Sequence, residues 1–185
     1  ETAGLTPETL LSFISLEDGV FSMVFEFSWC QLELKGPNYF WYDRQEWTPE
    51  DLKRELFSSH EMAGDRGWFG VCTENHDQPR SIDHYLPREG RNYYGATMLA
   101  SMYLLLRGTP YVYQGQEIGM LNLRLPDVNM YEDVMTHNAV RIASKIMPKK
   151  KVLEMVQRSC RDSARSPMQW SDGENAGFST GKPWF

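Results

Sequence analysis

Trp68-Phe69-Gly70-Val71-Cys72-Thr73-Glu74-Asn75-His76-Asp77-Gln78-Pro79-Arg80 is an apolar run that empties into a polar turn. A short run of this composition predicts a buried strand over Trp68 to Cys72, whose C-terminal end delivers the imidazole of His76 and the carboxylate of Asp77 to one point. An Asn-His-Asp turn is equally compatible with a hydrogen-bonded strand end that performs no chemistry. The segments on either side decide what kind of strand this is.

Upstream, Thr6-Pro7-Glu8 has the signature of a helix start: a hydroxyl cap, proline in the first turn and an acid beside it. Leu10, Leu11, Phe13 and Ile14 give that helix its apolar side, and Asp18-Gly19 ends the unit. Val20 to Phe27 is β-branched and aromatic, the composition of a strand buried on both faces in a parallel sheet. Thr48-Pro49-Glu50 repeats the helix start, with Leu52, Leu56 and Phe57 at helical spacing as far as Gly64. Downstream, Asn92 to Arg107 predicts a long helix apolar nearly all round and closed by Gly108, and Thr109 to Tyr113 predicts the next strand. The alternation of helix and strand implies an α/β fold with parallel strands and right-handed crossovers, and barrel and open sheet both satisfy it. Beyond Gly119 the pattern changes. Helices are expected near Thr136 to Ile146 and Lys151 to Gln157, and Arg161 to Phe185, rich in Gly, Ser, Asp and Trp, reads as loop.

The 185 residues are 41% hydrophobic and 13% aromatic, enough for one compact domain or part of one. A net charge of −6 with scattered Lys and Arg leaves no basic face for phosphates, so nucleic acid is not an expected partner. The longest apolar stretch, Ala96 to Leu106, is about half of what a membrane span needs, and no membrane partner is expected. Cys30, Cys72 and Cys160 are odd in number and far apart, which suggests reduced, buried thiols and a cytoplasmic setting. His60, His76, His84 and His137 show no ligand spacing, so no metal and no cofactor is expected. The chain opens on Glu1, without a methionine or a charged lead-in, and a fragment is the expectation.

Several separated segments share one likeness. Glu1-Thr2-Ala3-Gly4, Glu74 to Arg80, Gly108-Thr109-Pro110-Tyr111-Val112-Tyr113-Gln114-Gly115-Gln116-Glu117-Ile118-Gly119-Met120, Arg161 to Trp170 and Asn175-Ala176-Gly177-Phe178 together closely resemble the α-glucosidase branch of the α-amylase superfamily, glycoside hydrolase family 13. The resemblance implies the C-terminal part of a TIM (β/α)8 barrel, holding strands six (Val20 to Phe27), seven (Trp68 to Thr73) and eight (Pro110 to Tyr113) with their helices and incomplete as an isolated chain. Residues 1–120 are then the second half of the catalytic barrel, 121–160 a helical insertion after strand eight, and 161–185 an active-site loop leading toward a missing C-terminal β-domain.

Retaining glycoside hydrolysis needs a carboxylate nucleophile and a carboxylic acid about 5 to 5.5 Å apart. By resemblance Glu1 is the acid/base, Asp77 the third carboxylate that grips sugar hydroxyls and stabilises the oxocarbenium-like transition state, and His76 a hydroxyl-binding imidazole. Arg165 matches an arginine that reaches the same sugar, Arg80 either lines the aglycone side or anchors its loop, and Glu117 is expected to tie the end of strand eight to its neighbours. The family's nucleophilic Asp follows the fourth strand, upstream of Glu1, so this polypeptide alone is expected to be inactive. Trp29, Tyr39, Phe40 and Trp41 lie where the sequence departs from the family's usual segments, and either stack on a second sugar ring or pack.

The implied function is an α-glucosidase acting on short α-glucosides, α-1,6 linkages preferred, with an oligosaccharide as partner. Trehalose-6-phosphate hydrolysis and glucosyl transfer are the alternatives, and a non-catalytic amylase-fold subunit of a transporter complex is the alternative from another class. A bare half-barrel leaves strand edges and apolar faces uncovered, so self-association or association with the missing half is also expected.

Overall fold

The computed structural model describes residues 6–34 and 44–182. The chain divides into two compact units, Glu1–Thr73 with Ala100–Tyr111, and Glu74–Leu99 with Val112–Phe185.

The first unit is built on a parallel sheet in the order β1 (Val24–Phe25), β2 (Phe69–Val71), β3 (Thr109–Pro110). Val24 pairs with Phe69 and Gly70 with Thr109, so β2 is hydrogen-bonded on both sides, and the Tyr111 N–H extends the ladder to Val71 O at 2.8 Å. Gly70 is required there: a Cβ would meet the rings of Phe25 and Tyr111 at 3.2 Å, and those rings pack edge to face over the position with centroids 4.6 Å apart. Helix α1 (Pro7–Ile14) starts at Thr6, whose hydroxyl accepts the Thr9 N–H. Helix α2 (Pro49–Ala63) starts with a full capping box: Thr48 Oγ1 accepts the Asp51 N–H at 3.3 Å and Asp51 Oδ2 accepts the Thr48 N–H at 2.8 Å. Leu10, Ile14, Val24, Leu56, Phe69, Val71 and Tyr103 form the core.

The apolar run expected to be one long strand is paired only at Val24–Phe25. Val20 and Phe21 are exposed, and the Phe21 N–H goes back to Phe13 O, because an apolar composition sets burial preference without setting ladder partners. The expected strand over Thr109 to Tyr113 is likewise shorter in its paired part. Trp29 is fully buried and donates Nε1–H to Cys72 O at 2.9 Å, so it packs rather than stacks on a sugar, while Tyr39, Phe40 and Trp41 lie outside the described residues.

Helix α3 (Ser81–Tyr85), which sequence periodicity missed, opens the second unit and precedes α4 (Tyr93–Leu104). Asn92 Oδ1 caps α4 by accepting the N–H groups of Tyr94 and Gly95. Although α4 is apolar all round, only Leu99 and Tyr103 on it are buried. Helices α5 (Val134–Ala143) and α6 (Lys149–Ser159) occupy the expected helical region with ends shifted by about one turn or less. The tail is not all loop: α7 (Asp162–Arg165) and a 3₁₀ turn over Glu174–Gly177 interrupt it. Tyr131, Val152, Met155, Val156 and Cys160 are buried in this unit. No described helix is long and apolar enough to cross a membrane.

Candidate active site

Both the turn after β2 and helix α7 lie in the second unit, and the site is built between them. Asn75 Oδ1 accepts the Asp77 N–H at 2.8 Å, an Asx turn that fixes the backbone at His76 and Asp77. Both side chains remain accessible, His76 with 54% and Asp77 with 42% of its side-chain surface exposed.

Arg165 holds this turn at two points. Its Nη2 donates to Asp77 Oδ1 at 2.6 Å and its Nε to the carbonyl of His76 at 2.9 Å. The fork geometry of a guanidinium allows one side chain to engage a carboxylate and a neighbouring carbonyl together. Arg161, one helical turn earlier, donates Nη1–H to the same Asp77 Oδ1 at 3.0 Å. Its Nε and Nη2 go to Asp133 Oδ1 at 3.1 and 2.5 Å. Asp133 is the N-cap of α5, where its Oδ2 accepts the Thr136 N–H. Asp162 in turn accepts the N–H groups of Glu132 and Asp133, binding that cap to α7. Burial pushes the Asp133 carboxyl up, but hydrogen bonds from Arg161 and the Thr136 N–H, with the charges of Arg161 and Arg165, outweigh it and hold the group below the ordinary carboxylate value. The same bond to Asp133 raises Arg161.

Beneath this layer Glu74 and Arg80 form a buried ion pair, Oε1 to Nη1 at 3.0 Å. Glu74 Oε2 also accepts the Ser81 N–H at 2.6 Å. The remaining guanidinium donors of Arg80 reach Ser163 O and Ala164 O on α7, and Nη1 also reaches Gln114 O at 2.7 Å. Arg80 is 1% exposed, so of the two roles expected for it the geometry supports anchoring rather than contact with a sugar. It holds the helix that carries Arg165. Glu117 is exposed, and the strand end carries a local bond from its neighbour Gln116, whose Oε1 accepts the Tyr113 N–H three residues back. Glu1 lies outside the described residues.

The structure therefore brings His76, Asp77 and Arg165 together and adds Arg161, Asp133, Asp162 and Glu74, to which sequence reasoning gave no role. The spacing of Arg161 and Arg165 was the available signal, since side chains four apart share a helix face. A cavity of about 270 Å³ adjoins the network, its lining including apolar Leu123, Leu125 and Met130 and polar Asp133, Arg165 and Ser166. Among the described residues no three His, Cys, Asp or Glu side chains gather as a metal-ligating group. Chemically, the arrangement presents a carboxylate held by two arginines beside an accessible imidazole, suited to hydrogen-bonding a polyol and to stabilising positive charge beside it.

A parallel α/β sheet with crossover helices and an accessible carboxylate, imidazole and arginine held on one turn and one helix defines the class as α/β proteins with a polar, enzyme-like site. The whole chain, residues 1–185, matches the alpha-amylase catalytic domain, and it belongs to that family, whose fold is a TIM barrel. It is 37% identical over 186 residues to the oligo-1,6-glucosidase of Parageobacillus thermoglucosidasius, an alignment covering 100% of this chain and 33% of that protein. It is 35% identical over 187 residues to the glucan 1,6-alpha-glucosidase of Streptococcus pneumoniae, covering 100% of this chain and 35% of that protein. Among solved structures, the crystal structure of Bacillus licheniformis trehalose-6-phosphate hydrolase superposes with a TM-score of 0.87 at 32% identity, covering 99% of this chain and 33% of that one. The isomaltulose synthase of Protaminobacter rubrum gives a TM-score of 0.87 at 27% identity, covering 100% of this chain and 33% of that one. The chain spans about a third of the length of the relatives it matches.

Proposed function

We propose that this chain is part of a retaining α-glucosidase acting on short α-glucosides, with α-1,6 linkages preferred. The observation that carries the reading is the accessible Asp77 carboxylate, oriented by Arg165 beside His76 on a turn fixed by Asn75. The relatives' names, oligo-1,6-glucosidase and glucan 1,6-alpha-glucosidase, support the linkage.

In this reading β1, β2 and β3 are the sixth, seventh and eighth strands of the barrel, 121–160 is the insertion after the eighth, and 161–185 leads toward a further domain. Asp77 and His76 bind hydroxyls of the sugar undergoing cleavage, with Arg165 beside them. As the glycosidic bond breaks, positive charge develops on the ring, and the fixed anion of Asp77 stabilises that state more than the ground state. Glu1 protonates the leaving oxygen and then activates water. The nucleophile that bonds to the anomeric carbon lies outside this chain, so the 185-residue polypeptide alone has no turnover. Three buried cysteines far apart in sequence support a cytoplasmic setting, and the apolar side chains that α4 exposes support self-association or docking with the rest of the barrel.

The test is to express the complete coding sequence and the 185-residue chain separately and to assay isomaltose, maltose, sucrose and trehalose 6-phosphate. Hydrolysis of isomaltose by the complete protein alone, with the anomeric configuration retained, is the expected result. Preference for trehalose 6-phosphate, rearrangement of sucrose in place of hydrolysis, or turnover by the short chain would each overturn part of the reading.

A further inference from the structure

Asp77 Oδ1 accepts from two guanidinium groups, Arg161 Nη1 at 3.0 Å and Arg165 Nη2 at 2.6 Å. A carboxylate oxygen has about two lone-pair sites, so these donors fill it. Among the described residues Oδ2 carries no guanidinium contact; it lies 3.5 Å from His76 Nε2, on a side chain that is 42% exposed.

Two cations on one carboxylate oxygen would ordinarily neutralise it, which is the opposite of what a site for a developing cation needs. The second carboxylate removes the difficulty. Arg161 gives a single N–H to Asp77 and directs two, Nε and Nη2, onto Asp133, whose side chain is 4% exposed and is fixed as the cap of α5. The low-dielectric surroundings strengthen that second contact. Arg165 also leans toward Asp133, with Nη1 at 3.7 Å from Oδ1. The four groups sum to zero charge, with the buried acid taking most of the Arg161 charge.

We propose that Arg161 and Asp133 are positioning residues for Asp77: Arg161 clamps Oδ1, leaving Oδ2 as the oxygen that meets substrate, and Asp133 absorbs the Arg161 charge so that Asp77 keeps its own. This rests on the glucosidase reading of the site. Neither residue touches the sugar. Both act through the orientation and the effective charge of Asp77.

The test is Asp133→Asn in the complete protein, a substitution that preserves the side-chain shape and, with its amide oxygen toward the Thr136 N–H, the helix cap, while removing both the charge and the acceptor that Arg161 uses. Arg161 then turns its full charge on Asp77. The expected result is a fall in kcat of about 10- to 100-fold with KM within about threefold, the pattern of an interaction made in the transition state. In the same protein with ¹⁵N-labelled arginine, the Arg161 guanidinium is expected to rotate slowly, and rotation is expected to speed up in Asp133→Asn. A variant that keeps its kcat, or whose loss is wholly in KM, overturns the proposal, as does a freely rotating Arg161 guanidinium in the parent. Absence of glycosidase activity in the parent overturns the glucosidase reading, and the rotation measurement then decides the clamp by itself.

Discussion

Glu74 and Arg80 face each other across 3.0 Å with 1% of either side chain exposed. Each also holds backbone, Glu74 at the start of α3 and Arg80 at Ser163 and Ala164 of α7. Removing one member leaves an uncompensated buried charge and frees several backbone groups. Arg80→Met is expected to cost about 3 to 5 kcal/mol, and pairing it with Glu74→Leu to cost less than the two single changes together. Urea unfolding of the four proteins measures this, and strict additivity would refute it.

Gly70→Ala inserts a methyl between the Phe25 and Tyr111 rings at the centre of the sheet. Both rings must yield by a few tenths of an ångström, and a loss of about 1 to 3 kcal/mol is expected. Near-ultraviolet circular dichroism should report the disturbed aromatic pair alongside the lowered melting temperature.

Two carboxylates push the pH dependence of stability in opposite directions. Burial raises the Glu26 carboxyl above 4.5, with the Ser28 hydroxyl and N–H offsetting part of the effect. Folding then favours its protonated form, so this group's contribution is fullest below the unfolded value and declines as pH rises through the folded one. Glu26→Gln should raise the melting temperature at pH 7, with the gain shrinking toward pH 4. Asp51 is lowered to about 2 by the Thr48 hydroxyl and N–H and by Arg54, so its cap is complete above the ordinary carboxylate range and fails as pH falls toward 2. Chemical shifts at Thr48 and Asp51 followed from pH 5 to 2 test that sign.

Arg165→Lys keeps the charge and loses the fork that spans the Asp77 carboxylate and the His76 carbonyl. In the complete protein kcat/KM is expected to fall about 100-fold. Steady-state kinetics decide this, and a change under threefold would remove Arg165 from the site.

Cys30, Cys72 and Cys160 are buried, and burial pushes the Cys160 thiol up to about 11. At pH 8 a thiol-specific reagent should leave all three unmodified until denaturant is added. Rapid labelling of Cys160 under native conditions would contradict its burial.

Helix starts were legible because caps are local chemistry: Thr6 and Thr48 announce α1 and α2 within four residues. The parallel α/β order was legible for a similar reason, since alternation needs only composition. Strand lengths were not. Val20 and Phe21 have the same character as Val24 and Phe25, and only a partner strand distinguishes them. At the site, His76, Asp77 and Arg165 came from a likeness between motifs. Arg161 and Asp133 take their roles from a contact between residues 28 positions apart, which no local pattern encodes. For Arg80 the sequence leaves aglycone contact and loop anchoring both open, and it is burial that favours the anchor.

Helix α7 is a single turn, and both cations that reach Asp77 leave from it, Arg161 at its cap and Arg165 at its end. Each residue of a helix advances the azimuth by about 100°. Adding or deleting one residue between them would separate the two guanidinium groups by more than a quarter turn, whereas a conservative exchange at Asp162 to Ala164 leaves their phase intact. Between the two arginines conservative exchange should therefore be tolerated better than any change of length, and insertion scanning through 161–165 should find a zone with no permitted indels flanked by segments that accept them.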